Sequence, residues 1–274
     1  MNTNLSRLLV ALVTLGCFCG CRQQELRVLR IAQLCDPQLG FVEGGFDSDV
    51  GHFKKAVLQI NELAPDLVVV AGDMVNDGNN DEAINIFKSI IDQIKAPVLL
   101  AAGNHDMPDP VTVAGLKRYR THYGDDYQAI ECKGRSIIVV NTQLWREAPP
   151  EESRRHDVFL QENLQKAKKK QQAVVLLSHV PPFVSSVDEP DEYFNLPESK
   201  RKDILRLCDE NGVIIWLAGH THKTSRRDYR HITILNGETT GMNFDNHPAG
   251  FRLLTIYPDQ SFDWDFVALK NDNK

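Results

Sequence analysis

No run of apolar residues in this 274-residue chain is long enough to cross a bilayer. A spanning helix takes about 20 consecutive apolar residues, and the run Leu8 to Phe18 falls well short of that. Positive charge is also scarce. The 31 Lys and Arg against 37 Asp and Glu leave a formal charge of −6, opposite in sign to the basic footprint of a nucleic-acid binder. The basic cluster Lys166 to Lys170 reads as a solvated helix face. Beyond residue 21 cysteine is sparse: Cys35, Cys132 and Cys208 are too few and too dispersed for a disulfide framework and read as buried thiols. Internal repeats and low-complexity linkers are absent, and the 42% hydrophobic content suffices for a substantial core. Together these predict one domain, residues 26–270.

The first residues have a different character. Arg7 precedes the apolar stretch Leu8 to Phe18, which closes on Gly16-Cys17-Phe18-Cys19-Gly20-Cys21. A short apolar core behind a positive charge and before small residues is the pattern of a signal peptide, here residues 1–20. Gly-Cys directly after such a core resembles the bacterial lipobox, in which the cysteine takes a lipid. The expectation is an exported protein, periplasmic or held to the membrane by a lipid on Cys21, with Cys17 or an unlipidated cleaved signal as alternatives.

Elsewhere the chain repeats one device, an apolar run that breaks into polar residues. Val98 to Ala102 leads to Gly103-Asn-His-Asp106; Val68-Val-Val-Ala-Gly leads to Asp73; Val174-Val-Leu-Leu-Ser leads to His179; Ile214-Ile-Trp-Leu-Ala leads to Gly219-His-Thr-His222. Bounded runs of that length read as buried strands, and in open α/β sheets chemistry sits just beyond the carboxyl ends of the strands. A further strand within Leu26 to Leu34 ends in Cys35-Asp36-Pro37-Gln38.

Helical spacing predicts helices over Asp49 to Leu63, Asp81 to Ile94 and near Val111 to His122. The alternation with strands implies parallel pairing. Tyr127 to Cys132 and Ser136 to Asn141 read as a hairpin turning at Lys133-Gly134-Arg135, and Glu147 to Glu152 as a Pro- and Glu-rich loop. Helices are expected over Val158 to Gln171 and Ser199 to Glu210, the latter stopped by Asn211-Gly212. Strands follow at His231 to Leu235, Phe251 to Tyr257 and Phe262 to Val267. The economical packing is α/β: a two-sheet β-sandwich flanked by helices.

The strand-end residues form one candidate site: Asp36, Gln38, Asp73, Asn104, His105, His179, His220 and His222. Imidazole and carboxylate suit first-row divalent metals, and no cysteine takes part as it would in a closed structural zinc site. The set is too large for one tetrahedral ion and suits two ions about 3.5–4 Å apart sharing a carboxylate, an arrangement that recurs in phosphatases. His52, His122, His156, His231 and His247 lack such company and read as ordinary histidines. Asn141 and Gln143 stand at a strand end, either as plain polar residues or on the substrate side. The loop Asp188 to Asn195 is either a solvated acidic turn or a lid, with Tyr193-Phe194 at the mouth of the site.

Asp36-x-Gln38, Gly72-Asp73, Gly103-Asn-His-Asp106, His179 and Gly219-His-Thr-His222 together resemble the five ordered motifs of the calcineurin-like metallophosphoesterases, over about Val28 to Leu269. Asp36-Pro-Gln-Leu-Gly40, Asn141-Thr-Gln143 and Asp188 to Leu196 are similar to one branch, that of the calcineurin-like phosphoesterase domain-containing Ser/Thr protein phosphatase. The sequence departs from most of the superfamily at Gln38, where histidine is usual, and agrees with that branch. The resemblance implies a four-layer α/β/β/α architecture and two divalent ions, manganese, iron or zinc. Asp36, Gln38, Asp73 and His222 would hold the first ion, with Asp73 bridging; Asn104, His179 and His220 would complete the second.

By that resemblance the chain is a phosphoester hydrolase, most of all a phosphomonoesterase, in which a metal-bridging hydroxide attacks phosphorus in line. His105 would assist the leaving group, and Asp106 would hold its imidazole. The partner expected is a phosphorylated small molecule or phosphoprotein. The alternatives are a phosphodiesterase acting on a nucleotide or lipid head group, and a non-catalytic exported binding lipoprotein.

Overall fold

The computed structural model describes residues 26–42 and 45–270, so the expected signal peptide and Cys17 and Cys21 lie outside the described residues. In chain order the first elements are β1 (Leu29–Leu34), α1 (Phe46–Leu63), β2 (Leu67–Val70), α2 (Asp81–Ile91), β3 (Val98–Leu100) and α3 (Val113–Tyr123). The hairpin β4 (Gln128–Cys132) and β5 (Arg135–Val139) follows, then a 3-10 turn, Thr142–Trp145, and α4 (Pro150–Lys169). The rest is β6 (Val174–Leu177), α5 (Glu198–Glu210), β7 (Val213–Ala218), β8 (Ser225–Tyr229), β9 (Ile232–Asn236), β10 (Gly250–Ile256) and β11 (Phe262–Ala268).

The strands form two sheets, one ordered β11-β10-β1-β2-β3 and the other β4-β5-β6-β7-β9-β8. β1, β2 and β3 pair in parallel, as the alternation predicted; β5, β6, β7 and β9 of the second sheet pair in parallel too, which that alternation did not cover. The period-2 character of each strand feeds two cores at once. Leu29, Ile31, Leu67, Val69, Val175, Leu177, Ile215 and Leu217 fill the space between the sheets. Ala32, Leu34, Val68 and Val70 point the other way, against Phe53, Val57 and Ile60 of α1 and Ile84, Phe87 and Ile90 of α2. Leu176, Trp216 and Ile234 pack outward on Leu160 and Leu164 of α4 and Leu205 of α5. The result is four layers, α/β/β/α.

Each helix follows from its own sequence. Ala83, Ile84, Phe87, Ile90 and Ile91 give α2 one buried face. Asn80 caps it by accepting from the Ala83 amide at 3.1 Å, and Asp81 and Glu82 sit where the helix dipole favours acids. The helix stops at Ile91, short of the expected Ile94, which closes instead as a tight turn onto the Ile91 carbonyl.

Two expectations need correction. The segment Glu147 to Glu152 is not wholly loop: α4 begins at Pro150, well before the expected Val158. Proline at the first helical position has no amide to lose, and Glu151 and Glu152 complement the dipole. β8 was not expected, because Ser-Arg-Arg-Asp-Tyr carries no apolar run; as an edge strand against β9 it spends its charges at the rim. Among the described residues the three cysteines are free, with Cys35 and Cys208 buried and Cys132 half-buried. No helix among the described residues is long and apolar enough to cross a membrane.

Candidate metal centre

The carboxyl ends of β1, β2, β3, β6 and β7 meet at one edge of the sandwich, and each delivers candidate ligands there. The backbone is forced to do so. Asp36, Gln38, Asp73, His220 and His222 all have positive φ, between 38° and 69°, a region that side-chain-bearing residues rarely adopt and that clusters at functional sites. Close approach is equally demanding. A Cβ on Gly103 would stand 2.0 Å from Asp73 Oδ1, and one on Gly219 would stand 2.6 Å from Asp36 Oδ2. Glycine is required at both positions because chain passes directly over a carboxylate.

Asp36, Asp73, Asn104, His179, His220 and His222 lie in one connected cluster. Ligating atoms of Asp73, His179 and His220 lie within 4.8 Å of one another, and all three residues are buried. His179 Nε2 is 3.3 Å from Asp73 Oδ2 and 2.9 Å from Asn104 Oδ1. Asp36 accepts the His220 amide on both oxygens, and its Oδ1 lies 3.7 Å from His179 Nδ1 and 3.7 Å from His222 Nε2. Gln38 is buried too. Its Nε2 donates to Asn76 Oδ1 at 3.4 Å, while its Oε1 has no hydrogen-bond partner among the described residues.

The imidazoles share a pattern. His179 Nδ1 bonds the Ala71 carbonyl at 2.7 Å, His222 Nδ1 the Met242 carbonyl at 2.8 Å, and His220 Nε2 the Tyr193 carbonyl at 2.9 Å. A carbonyl accepts, so each ring must donate there and keep its lone pair on the other nitrogen. Metal-ligating histidines are oriented in this way. The lone pairs of His179 and His222 then face carboxylate oxygens, an arrangement that needs a cation or a proton between them. The orphaned Gln38 oxygen adds a further acceptor. The donor set therefore fits divalent metal ions.

The electrostatics agree. Burial pushes the Asp36 carboxyl up, against the pull of His179 and His222. Burial would raise Asp73 as well, but the adjoining His179 outweighs it and holds that carboxyl well below the usual range. Burial would lower His179, yet Asp73 and Asp36 push its imidazole up to about 9. His220 is lowered to about 3, first by burial and then by His179, which keeps it neutral and able to ligate.

His105 stands beside the cluster with its amide on Asp73 Oδ1 at 2.9 Å. The role expected for Asp106 is not the one observed. Asp106 accepts the Gly103 amide on one oxygen and the Met74 amide on the other, both at 2.8 Å, tying the end of β3 to that of β2. Its position next to backbone donors, rather than next to the ring, decides this. The partner of His105 Nδ1 is the Asn76 carbonyl at 2.9 Å. Asn76 was missed by sequence reasoning, because a backbone carbonyl leaves no signature in side-chain chemistry.

The loop Asp188 to Asn195, expected as either a turn or a lid, reaches the site through Tyr193 and Phe194. The Tyr193 ring lies 4.8 Å and the Phe194 ring 5.4 Å from the ring of His220, centroid to centroid. On the other flank Phe244 stacks on His222 at 4.7 Å. Asn141 is a structural residue: it caps the 3-10 turn and donates to Asp126 at 2.8 Å. Gln143 is buried, its Nε2 without a hydrogen-bond partner among the described residues. His156 belongs to the core, where burial lowers it to about 3.

Comparisons with known proteins point the same way. The sequence model of the calcineurin-like phosphoesterase family matches residues 29–224. The chain is 27% identical over 271 residues to the serine/threonine-protein phosphatase CPPED1 of Bos taurus, covering 89% of this chain and 85% of that one. It is 26% identical over 189 residues to a probable glycerophosphodiester phosphodiesterase, GpdQ, of Arcobacter nitrofigilis, covering 65% of each. In fold it resembles a dimetal phosphatase from Danio rerio solved by crystallography, with a TM-score of 0.67 at 14% identity over 84% of this chain and 93% of the other.

Proposed function

The chain belongs to the calcineurin-like phosphoesterases, hydrolases of phosphoesters, and from that premise we propose that it is a phosphomonoesterase with a dinuclear metal centre. One observation carries the reading. Three buried imidazoles, each tied through one nitrogen to a backbone carbonyl, turn their other nitrogen toward a cluster holding two buried carboxylates. We assign Asp36, Gln38, Asp73 and His222 to the first ion and Asp73, Asn104, His179 and His220 to the second. Such ions, when bound, acidify water and neutralise charge on a phosphoryl group.

The chain's own residues do the rest. Asp73 would serve both ions, and one of its oxygens is fixed by the His105 amide. His105, its Nδ1 donating to the Asn76 carbonyl, carries in its imidazolium form a proton on Nε2 for the departing oxygen. Phe41 and Phe244 pack against His222, with ring centroids 5.1 Å and 4.7 Å away.

The preference for a monoester rests on coverage, since the CPPED1 relative named serine/threonine-protein phosphatase aligns over 89% of the chain and the glycerophosphodiester phosphodiesterase-named relative over 65%. The latter supports the second reading, diester hydrolysis. The substrate is then a phosphoprotein or a small phosphate. The sequence pattern of residues 1–21 supports export and a lipid on Cys21; Cys21→Ala should shift the protein from membrane to soluble fractions. The function is tested by loading the protein with manganese, zinc or iron in turn and comparing p-nitrophenyl phosphate with its bis-ester. Turnover confined to the monoester is expected. Faster diester turnover overturns the monoester reading in favour of the second.

A further inference from the structure

We propose that Tyr193 is a positioning residue for the second metal: from outside the cluster it fixes two of that ion's ligands, Asn104 and His220, and so makes the lid loop a determinant of second-site affinity. The inference rests on the dinuclear reading above and extends it to a residue outside the ligand set. The Tyr193 hydroxyl accepts from Asn104 Nδ2 at 2.9 Å. An asparagine amide has two faces, and one donor bond decides which is which. With Nδ2 held by the phenol, Oδ1 is the atom turned toward His179 Nε2, 2.9 Å away. Were the amide reversed, an NH2 group would face the ion and repel it.

The same residue acts on His220 through its backbone. The Tyr193 carbonyl accepts from His220 Nε2 at 2.9 Å, which leaves the lone pair on Nδ1 and fixes the plane of the ring. One residue of the lid thus sets both the tautomer of one ligand and the amide orientation of another. The first site has no such tie, since His222 is held by the Met242 carbonyl and Gln38 by Asn76.

The lid is built to hold Tyr193 still. The Glu189 carboxylate accepts from the amides of Val184, Ser185 and Ser186 and from Asn195 Nδ2. Arg201 of α5, fully buried, donates to the Glu189 carbonyl at 2.8 Å and reaches Asp191 at 3.4 Å. From the other side Arg146 donates to the Tyr193 carbonyl at 2.6 Å, with its guanidinium 5.6 Å from the centre of the ring. Tyr193 itself is 51% exposed, so its ring contributes little to the core and its place must be explained by what it touches.

The test is a manganese titration of the full chain, followed by calorimetry and by the spin-coupled signal of a manganese pair, on wild type, Tyr193→Phe and Tyr193→Ala. Tyr193→Phe keeps ring and carbonyl and removes only the hydroxyl. Loss of an outer partner typically weakens metal binding about 10- to 100-fold, so second-site affinity should fall at least about tenfold in both variants. First-site affinity should stay within about twofold, and the melting temperature of the metal-free protein should not change. Wild-type binding of both ions in both variants, or equal weakening of the two sites, overturns the proposal while leaving the dinuclear centre intact. A wild type that binds fewer than two ions overturns both.

Discussion

At the scale of the residue, the centre depends on a few atoms that accept no substitute. Asp73 serves both proposed sites, so Asp73→Asn should lower affinity for both ions by more than the 10- to 100-fold typical of an outer partner, with turnover lost in parallel; calorimetry and a hydrolysis assay check it. Gly103→Ala places a methyl group on the same carboxylate and should act like Asp73→Asn while circular dichroism stays native. His105→Ala separates binding from chemistry. Both ions should remain, and kcat should fall about 10²–10⁴-fold on an alkyl phosphate, the range for a lost proton donor, and less on p-nitrophenyl phosphate, whose leaving group needs no proton. Unchanged turnover of the alkyl ester would remove His105 from that role.

Most of these residues were legible in the sequence because ligands are side chains, and their types and spacing survive as letters. Asp36, Asp73, His179, His220 and His222 announce themselves at the ends of apolar runs. What was not legible is carried by the backbone. The positive φ at five of the candidate ligands, the Asn76 carbonyl behind His105 and the Tyr193 carbonyl behind His220 have no letter of their own. Asp106 misled for the same reason. Its proximity in sequence suggested the ring of His105, but its oxygens accept the amides of Gly103, Met74 and Val75, the last two brought near only by the folded strand ends.

At the scale of the element, the buried strands and one-faced helices were readable because period and burial agree, as in α2 and in β7. Elements with mixed signals were not. The start of α4 combines Pro149, Pro150 and two glutamates, which read as loop by composition and as helix start by position. Edge strand β8 has no apolar run, since it buries too little to need one. Capping gives an elementary test. Asn80→Ala removes the bond to the Ala83 amide and should cost about 1 kcal/mol of stability, seen in urea unfolding, with metal content unchanged.

At the scale of the whole molecule, stability and catalysis are separable. Three apolar clusters fill the spaces between the four layers and owe nothing to the ligands. Treatment with a chelator should therefore abolish turnover and lower the melting temperature while far-ultraviolet circular dichroism keeps its native form. Acid should act through the core as well. His156 is buried and neutral, with its imidazole lowered from 6.5 to about 3, so between those values the unfolded chain binds the proton that the folded chain refuses. Its contribution is complete above pH 6.5 and is lost as pH falls toward 3, at up to about 1.4 kcal/mol per pH unit. His156→Gln has no proton to gain, and its stability should decline less steeply than wild type across that window.

The most direct measurement of the central claim is the number of ions bound per chain, set against activity. Native mass spectrometry of the metal-free protein titrated with manganese reads the number while hydrolysis of a phosphomonoester is followed in the same samples. Two ions per chain are expected, with turnover rising as the second is filled and with Asp73→Asn failing on both counts. Full turnover with a single ion bound, or with none, would contradict a dinuclear centre.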